Sequence, residues 1–192
     1  MPHVDGRVAK GQQTRSLLVE ALVDLVDSGA PAPTTQQVAD RAGVSVRLVF
    51  HHFRGTRDLV VTALTLQSER HRSIVFDVPA RGPPELRVRA LCRQRRLYFE
   101  ELTPIYRVAH ARSDTVAALR DLLADDRARL RHQLAGTLAP ELGARGAEAD
   151  DLLDALERAT GWETWRDLRD VRGRTPAAAE RSMAFTAGRL RR

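Results

Sequence analysis

The feature that most constrains this sequence is a pair of short helical segments meeting at Gly43. The segment before the glycine opens at Thr34 and the segment after it at Ser45, and both residue types cap helix N-termini. Gln37 follows Thr34 at the spacing of a capping box. Glycine adopts the positive φ that a sharp turn between helices needs. The pattern therefore predicts two helices of about eight residues around a tight turn, the geometry of a helix-turn-helix.

The predicted second helix has an apolar inner side and a mixed outer side. Ala39 of the first helix is small enough for the second helix to cross close to it, and Val44 and Val49 fill the wedge between them. The outer side can enter a DNA major groove, where Arg47 suits a guanine and Leu48 a thymine methyl group. The predicted base-facing residues are Ser45, Val46, Arg47, Leu48 and His51.

Apolar residues recur at helical spacing along the rest of the chain, and no segment alternates with period two. The sequence predicts an all-α fold of about nine helices after a loose arm of eleven residues. Prolines at 31 and 33 end the first helix, Thr56 caps the fourth, and a linker containing Pro79 to Pro84 precedes the fifth. Thr103-Pro104 predicts the start of a short sixth helix. Ser113 is expected to cap the seventh, and the last two are predicted at about 149–170 and from 175 onwards.

Residues 15–59 resemble the TetR family of regulators. The resemblance lies in the pattern R-x-x-L-x-x-A from Arg15, then T-T-x-x-V-A-x-x-A-G-V-S from Thr34, then H-F and a basic residue before D-L. It implies an N-terminal three-helix helix-turn-helix DNA-binding domain, here residues 12–58. It also implies a larger C-terminal helical domain, residues 59–192, for ligand sensing and dimerisation.

The same resemblance assigns phosphate contacts. They fall on Thr35, Phe50, His52 and Arg57, and the DNA-binding site begins at Thr34. Family members usually carry tyrosine where this chain has Phe50, so a hydroxyl contact to phosphate is absent. They commonly carry lysine where Arg57 stands, which keeps the charge.

Net charge and residue content limit the kinds of site that this sequence can form. The net charge is +6, but residues 1–57 carry seven Lys/Arg against five Asp/Glu, so charge alone does not identify a DNA-binding face. The single cysteine, Cys92, excludes an intramolecular disulfide. Adjacent histidines such as His51 and His52 point about 100° apart on a helix, so no metal site and no cofactor are predicted. The sequence has no signal-peptide pattern or membrane-spanning run, which predicts a cytoplasmic protein.

The C-terminal part predicts a ligand pocket and a dimer interface. A mostly apolar cavity with a few polar groups suits a hydrophobic or weakly polar effector. Its predicted lining residues are Gln67, Phe99, Tyr106, His110 and Trp165. The last two helices are expected to pair with those of a second copy, through Leu153, Leu156, Trp162, Ala178, Met183 and Phe185.

Together these features predict a transcriptional regulator that is not an enzyme. We expect a homodimeric repressor that binds double-stranded DNA at a palindromic operator and is released by a small molecule. The alternative is an all-helical enzyme or binding protein that acts on a hydrophobic small molecule. That alternative needs converging titratable residues, whereas the carboxylate pairs of this chain are sequence neighbours and no catalytic motif is present.

Overall fold

Helices make up the regular secondary structure of the computed structural model. It describes residues 6–30, 32–75, 78 and 80–191, with the side chains of residues 6 and 7 excepted, and these ranges contain no strand. The all-α prediction is confirmed. Pro31 and Pro79, predicted in a helix break and in a linker, lie outside the described residues.

The helices follow one another through short connections. In chain order they are α1 (Gly6–Asp27), α2 (Thr35–Ala42), α3 (Val46–His52), α4 (Thr56–Arg70), α5 (Pro84–Arg112), α6 (Ala117–Thr137), α7 (Ala139–Gly143), α8 (Ala149–Thr160), α9 (Trp162–Arg166) and α10 (Pro176–Leu190). Single 3₁₀ turns lie at Arg72–Ile74 and Gly146–Glu148, and a π-helical turn at Asp167–Val171 follows α9.

The chain divides into two compact units. The first contains the residues up to 69 together with 103–124. Within it, α1 packs against α2 and α3, and α2 packs against α3. The fully buried apolar side chains of this unit include Leu18, Leu22, Val38, Ala39, Val49, Leu59, Val60 and Ala63.

The second unit contains residues 70–102 and those from 125 onwards. Within it, α8 packs against α7, α9 and α10. Arg87 is buried and donates to the carbonyl of Thr137 and to both carboxylate oxygens of Glu141, at 2.5–3.0 Å. Because the guanidinium is paired and hydrogen-bonded, its charge can be buried without a large free-energy penalty.

The predicted sixth helix at Thr103-Pro104 is wrong, because α5 runs unbroken through Pro104 to Arg112. A proline inside a helix costs about 3 kcal/mol through its missing N–H and its ring. Burial of one large apolar side chain contributes about 1.5–3 kcal/mol. Several such side chains surround Pro104 on α5 and outweigh its cost: Leu102, Ile105, Tyr106 and Val108.

Several other helix ends differ from the predicted ones. The first helix begins at Gly6, so residues 6–11 do not form a loose arm. Thr56 is the first residue of α4 rather than its cap. Ser113 does not cap α6, since its hydroxyl donates to the carbonyl of His110 at the end of α5. The predicted eighth helix is broken at Gly161, where the backbone is extended (φ −85°, ψ 175°).

Candidate nucleic-acid interface

The first helix of the helix-turn-helix is α2, and its start is fixed by reciprocal hydrogen bonds. The backbone N–H of Gln37 donates to Oγ1 of Thr34 at 3.2 Å, and the N–H of Thr34 donates to Oε1 of Gln37 at 2.9 Å. This is the predicted capping box. It sets the residue at which α2 begins and therefore the orientation of Thr34 and Thr35.

The turn between α2 and α3 depends on Gly43. Its φ of 67° lies in the left-handed region, which other residues adopt only with strain. The next N–H, that of Val44, donates to the carbonyl of Ala39 at 3.0 Å and closes the end of α2. Ala39 and Val49 are fully buried and Val44 is half-buried. The predicted close crossing of α2 and α3 is therefore present.

The outer side of α3 is available to a ligand as large as DNA. Oγ of Ser45 accepts from the N–H of Leu48 at 3.2 Å and caps the helix, as predicted. Of the predicted base-facing residues, Ser45, Arg47 and His51 are exposed, whereas Val46 and Leu48 are half-buried.

Phe50 is also on the outside of α3. Its side chain is 56% exposed, which is unusual for an aromatic residue in a folded chain. An exposed phenyl ring with no hydroxyl can contact a sugar or a base edge but cannot donate to a phosphate. Phe50 therefore lies on the surface but cannot make the hydrogen bond that a tyrosine hydroxyl would make.

Arg15 holds α1 against the end of α3, a contact that the sequence did not reveal. Its Nη1 donates to the carbonyl of His52 at 2.8 Å, and its Nη2 lies 3.5 Å from Oγ1 of Thr62. The guanidinium carbon stands 4.5 Å from the centre of the Phe53 ring. Arg15 was visible only as the first residue of the sequence pattern, because its partners lie 37 residues or more away. Its contacts position α3 rather than touch DNA.

A hydrogen bond joins the starts of α2 and α4, which carry the predicted phosphate-contacting residues Thr35 and Arg57. The hydroxyl of Thr35 and that of Thr56, at the start of α4, are 3.0 Å apart. Arg57 follows Thr56 and is exposed. Burial, then the nearby His51 and Arg15, lower the pKa of His52 below its ordinary value of 6.5. At neutral pH, His52 therefore offers a neutral imidazole, which donates through one nitrogen only.

The predicted ligand-lining residues fall in both units. Gln67, Tyr106 and His110 belong to the first, with the rings of Tyr106 and His110 centred 5.8 Å apart. Phe99 and Trp165 belong to the second, with ring centres 6.1 Å apart. All except His110 are buried.

Half of the predicted dimer residues serve the chain's own core. Leu156, Trp162 and Met183 are buried within the chain, and the ring of Trp162 packs 5.8 Å from that of Phe99. Side chains buried in this way have almost no surface left for contact with a second copy, and the dimer interface stays a prediction. Leu153 and Ala178 are half-buried. Phe185, on α10, is 66% exposed.

Among the residues that the structure describes, no three or more His, Cys, Asp or Glu side chains are grouped so as to hold a metal ion. No helix in the described part of the chain is both long and apolar enough to cross a membrane.

The helix-turn-helix segment is similar to a known protein family. Residues 17–63, which cover the second half of α1 and all of α2 and α3, match the family model of the bacterial regulatory proteins, tetR family. The helix-turn-helix of this chain is therefore of the TetR-family type. The match ends inside α4 and covers the segment whose capping, turn and exposed outer side are described above. No curated protein matches the chain.

Solved structures share the fold of this chain over nearly its whole length. A transcriptional regulator from Rhodococcus sp. Rha1 is 20% identical, covers 92% of this chain and 95% of its own, and superposes with a TM-score of 0.71. A putative transcriptional regulator from Pseudomonas aeruginosa PAO1 is 20% identical, with coverages of 94% and 91% and a TM-score of 0.67. A putative TetR-family regulator from Mesorhizobium loti MAFF303099 is 15% identical, with coverages of 94% and 96% and a TM-score of 0.61.

Proposed function

We propose that this TetR-family transcriptional regulator is a repressor that binds a palindromic operator as a homodimer and leaves it when a small molecule binds. The observation that carries the DNA-binding part is the outer side of α3. There Ser45, Arg47, Phe50 and His51 are exposed on a helix that is capped at its start and clamped by Arg15 at its end. A helix fixed in this way presents base-reading side chains without a backbone ordering cost on binding.

Base and phosphate contacts have separate roles in this proposal. Arg47, with Val46, Leu48 and His51 beside it, reads base edges, since a guanidinium donates two parallel hydrogen bonds to guanine. The phosphate contacts come from Thr35, His52 and Arg57, which set the register of the protein on the duplex, and the DNA-binding site begins at Thr34. Phe50 contributes packing only.

Release by a ligand depends on thermodynamic linkage between ligand binding and DNA binding. In this proposal residues 12–58 form the DNA-binding domain, and residues 59–192 sense a hydrophobic or weakly polar molecule near Gln67, Phe99, Tyr106, His110 and Trp165. The ligand favours a conformation in which α4 is displaced, and α4 follows directly on the helix-turn-helix. The two α3 helices of the dimer then lose the spacing of about one DNA turn that a palindrome requires. A coupling free energy of about 1–3 kcal/mol changes operator affinity by roughly 5- to 150-fold.

Footprinting of the purified protein on the DNA that flanks its own gene tests this proposal. Protection of one inverted repeat is expected, with the two half-sites one helical turn or a multiple apart. Screening apolar compounds by thermal shift and then adding the hits to the footprinting reaction tests release. A compound that raises the melting temperature should also remove the protection, and Tyr106→Ala or Phe99→Ala should abolish both effects. Uniform, unprotected cleavage along the whole flanking region would contradict DNA recognition at this locus.

A further inference from the structure

A polar pocket lies at the N-terminus of α4, entirely within the first unit. Its volume is about 390 Å³, and its lining comes from three places in the sequence. Thr56 and Arg57 belong to the first turn of α4, Arg112 ends α5, and Thr115 and Val116 form the turn before α6. This volume is in the lower part of the range for small-molecule sites.

Two guanidinium groups face this pocket without a counter-ion. Within the described ranges neither Arg57 nor Arg112 forms an ion pair with a carboxylate. Partial burial, and then the charge of Arg57, lower the pKa of Arg112. The neighbouring carboxylate of Asp58 accepts from the backbone N–H of Arg54 at 3.0 Å. Two cations close together in a partly desolvated recess repel each other, and an anion between them would replace that repulsion with two charge-assisted bonds.

The rest of the pocket also favours negative charge. Helix α4 is 15 residues long, and the positive end of its dipole is at Thr56. The hydroxyl of Thr115 donates to the carbonyl of Arg112 at 3.2 Å, which keeps the end of α5 against the turn. Among the described residues, no carboxylate side chain lines the pocket. Cations, hydroxyls and a helix N-terminus thus surround one cavity.

We propose that this pocket is a phosphate-binding site in which Arg57 and Arg112 hold the phosphate group between them. Phosphate carries up to two negative charges and three or more acceptor oxygens, which matches two guanidiniums approaching from different helices. The phosphate belongs either to a small phosphorylated molecule or to the DNA backbone. The hydroxyl pair of Thr35 and Thr56 joins the pocket wall to the proposed DNA-contacting surface.

A first arm of the test uses the protein without DNA. Inorganic phosphate is titrated against chloride at constant ionic strength, and backbone amide shifts of residues 56–57 and 112–116 are followed by NMR. Saturable shifts are expected in the wild type and at least tenfold weaker binding in Arg112→Gln. The control is Arg93→Gln, which removes the same charge from an exposed position on α5 and should bind phosphate as the wild type does. Thermal melts establish that each variant is folded.

A second arm uses operator DNA and therefore rests on the proposed function. If the site takes a backbone phosphate, Arg112→Gln reduces the slope of log affinity against log salt by about two, roughly one for each protomer of the dimer, while Arg93→Gln does not. If the site takes a free molecule, the slope is unchanged, and inorganic phosphate competes with the operator in the wild type but not in Arg112→Gln. The proposal is overturned if Arg112→Gln alters neither phosphate binding nor the salt slope. Failure of the proposed function gives a different result from failure of the phosphate site. In that case neither the wild type nor any variant binds an operator, while phosphate binding in the first arm is unchanged.

Discussion

At the scale of single residues, the pKa of His52 gives the interface a pH dependence. Burial, His51 and Arg15 lower that pKa below 6.5, so the imidazole is neutral at neutral pH and gains its proton only under acid conditions. Protonation adds a positive charge and a second donor where a DNA phosphate is proposed, so operator affinity should rise as pH falls below 6.5. Binding curves at constant ionic strength for the wild type and His52→Gln measure this difference. An identical pH dependence in the two proteins would exclude the role of His52.

The lowered pKa of His52 affects the stability of the fold in the opposite direction from DNA affinity. The unfolded chain binds the His52 proton more tightly than the folded chain, since the folded pKa is the lower one. The contribution of His52 to stability is therefore present above the unfolded pKa and is lost as pH falls through this region. Stability and DNA affinity should move in opposite directions as the solution is acidified.

At the scale of helices and turns, Gly161 sets the break between α8 and α9. A Cβ at this position would lie 2.9 Å from the carbonyl oxygen of Glu157, a backbone atom that cannot swing away. Gly161→Ala should therefore lower the free energy of unfolding by about 1–3 kcal/mol, as other overpacked sites do. Denaturant titration measures this loss.

A matched glycine separates the clash from the general effect of the substitution. Gly136 lies in α6 with open space where its Cβ would stand. Gly136→Ala should be neutral or stabilising by up to about 1 kcal/mol, because alanine loses less backbone entropy on folding. Equal effects of the two substitutions would contradict the role assigned to Gly161.

Local signals were enough to predict α2 and α3 but not the course of α5. Thr34, Gln37, Gly43 and Ser45 act on residues within a few positions of themselves, so their chemistry can be predicted directly from the sequence. Pro104 is different, because the local signal for a helix start is outweighed by the apolar side chains buried on both sides of it.

The long-range contacts of the interface, too, could not be predicted from local sequence signals. Arg47 and Arg57 were predicted because they lie in or beside the helix-turn-helix pattern. Arg15 and Arg112 were not assigned contacts, because Arg15 donates to a residue 37 positions away and Arg112 shares a pocket with Arg57 of another helix. Nothing in the spacing of these arginines marks the partner that folding brings beside them.

At the scale of the whole molecule, the proposed homodimer depends on the exposed side of α10. Phe185 is 66% exposed there, and α10 already packs against α8 on its other side. Sedimentation should give a species of about 43 kDa, twice the 21.4 kDa chain. Phe185→Glu should shift it towards the monomer at micromolar concentration, because a charge would be buried unpaired at the interface.

The control for that substitution is Leu86→Glu. Leu86 is an apolar residue of α5 with 59% exposure, comparable to that of Phe185. This variant should remain dimeric. A wild type that sediments as a monomer at micromolar concentration, or two variants that dissociate equally, would contradict the assigned interface.

The central claim is that the outer side of α3 reads a specific DNA sequence, and the ratio of specific to non-specific affinity tests it most directly. Binding of the intact protein to its protected fragment and to random DNA of the same length is measured by fluorescence anisotropy at physiological salt. The wild type should prefer its site by about 10³-fold or more. Arg47→Ala should lose about 1–3 kcal/mol at that site while binding random DNA almost as before. Equal affinity of the wild type for the two DNAs would contradict the account.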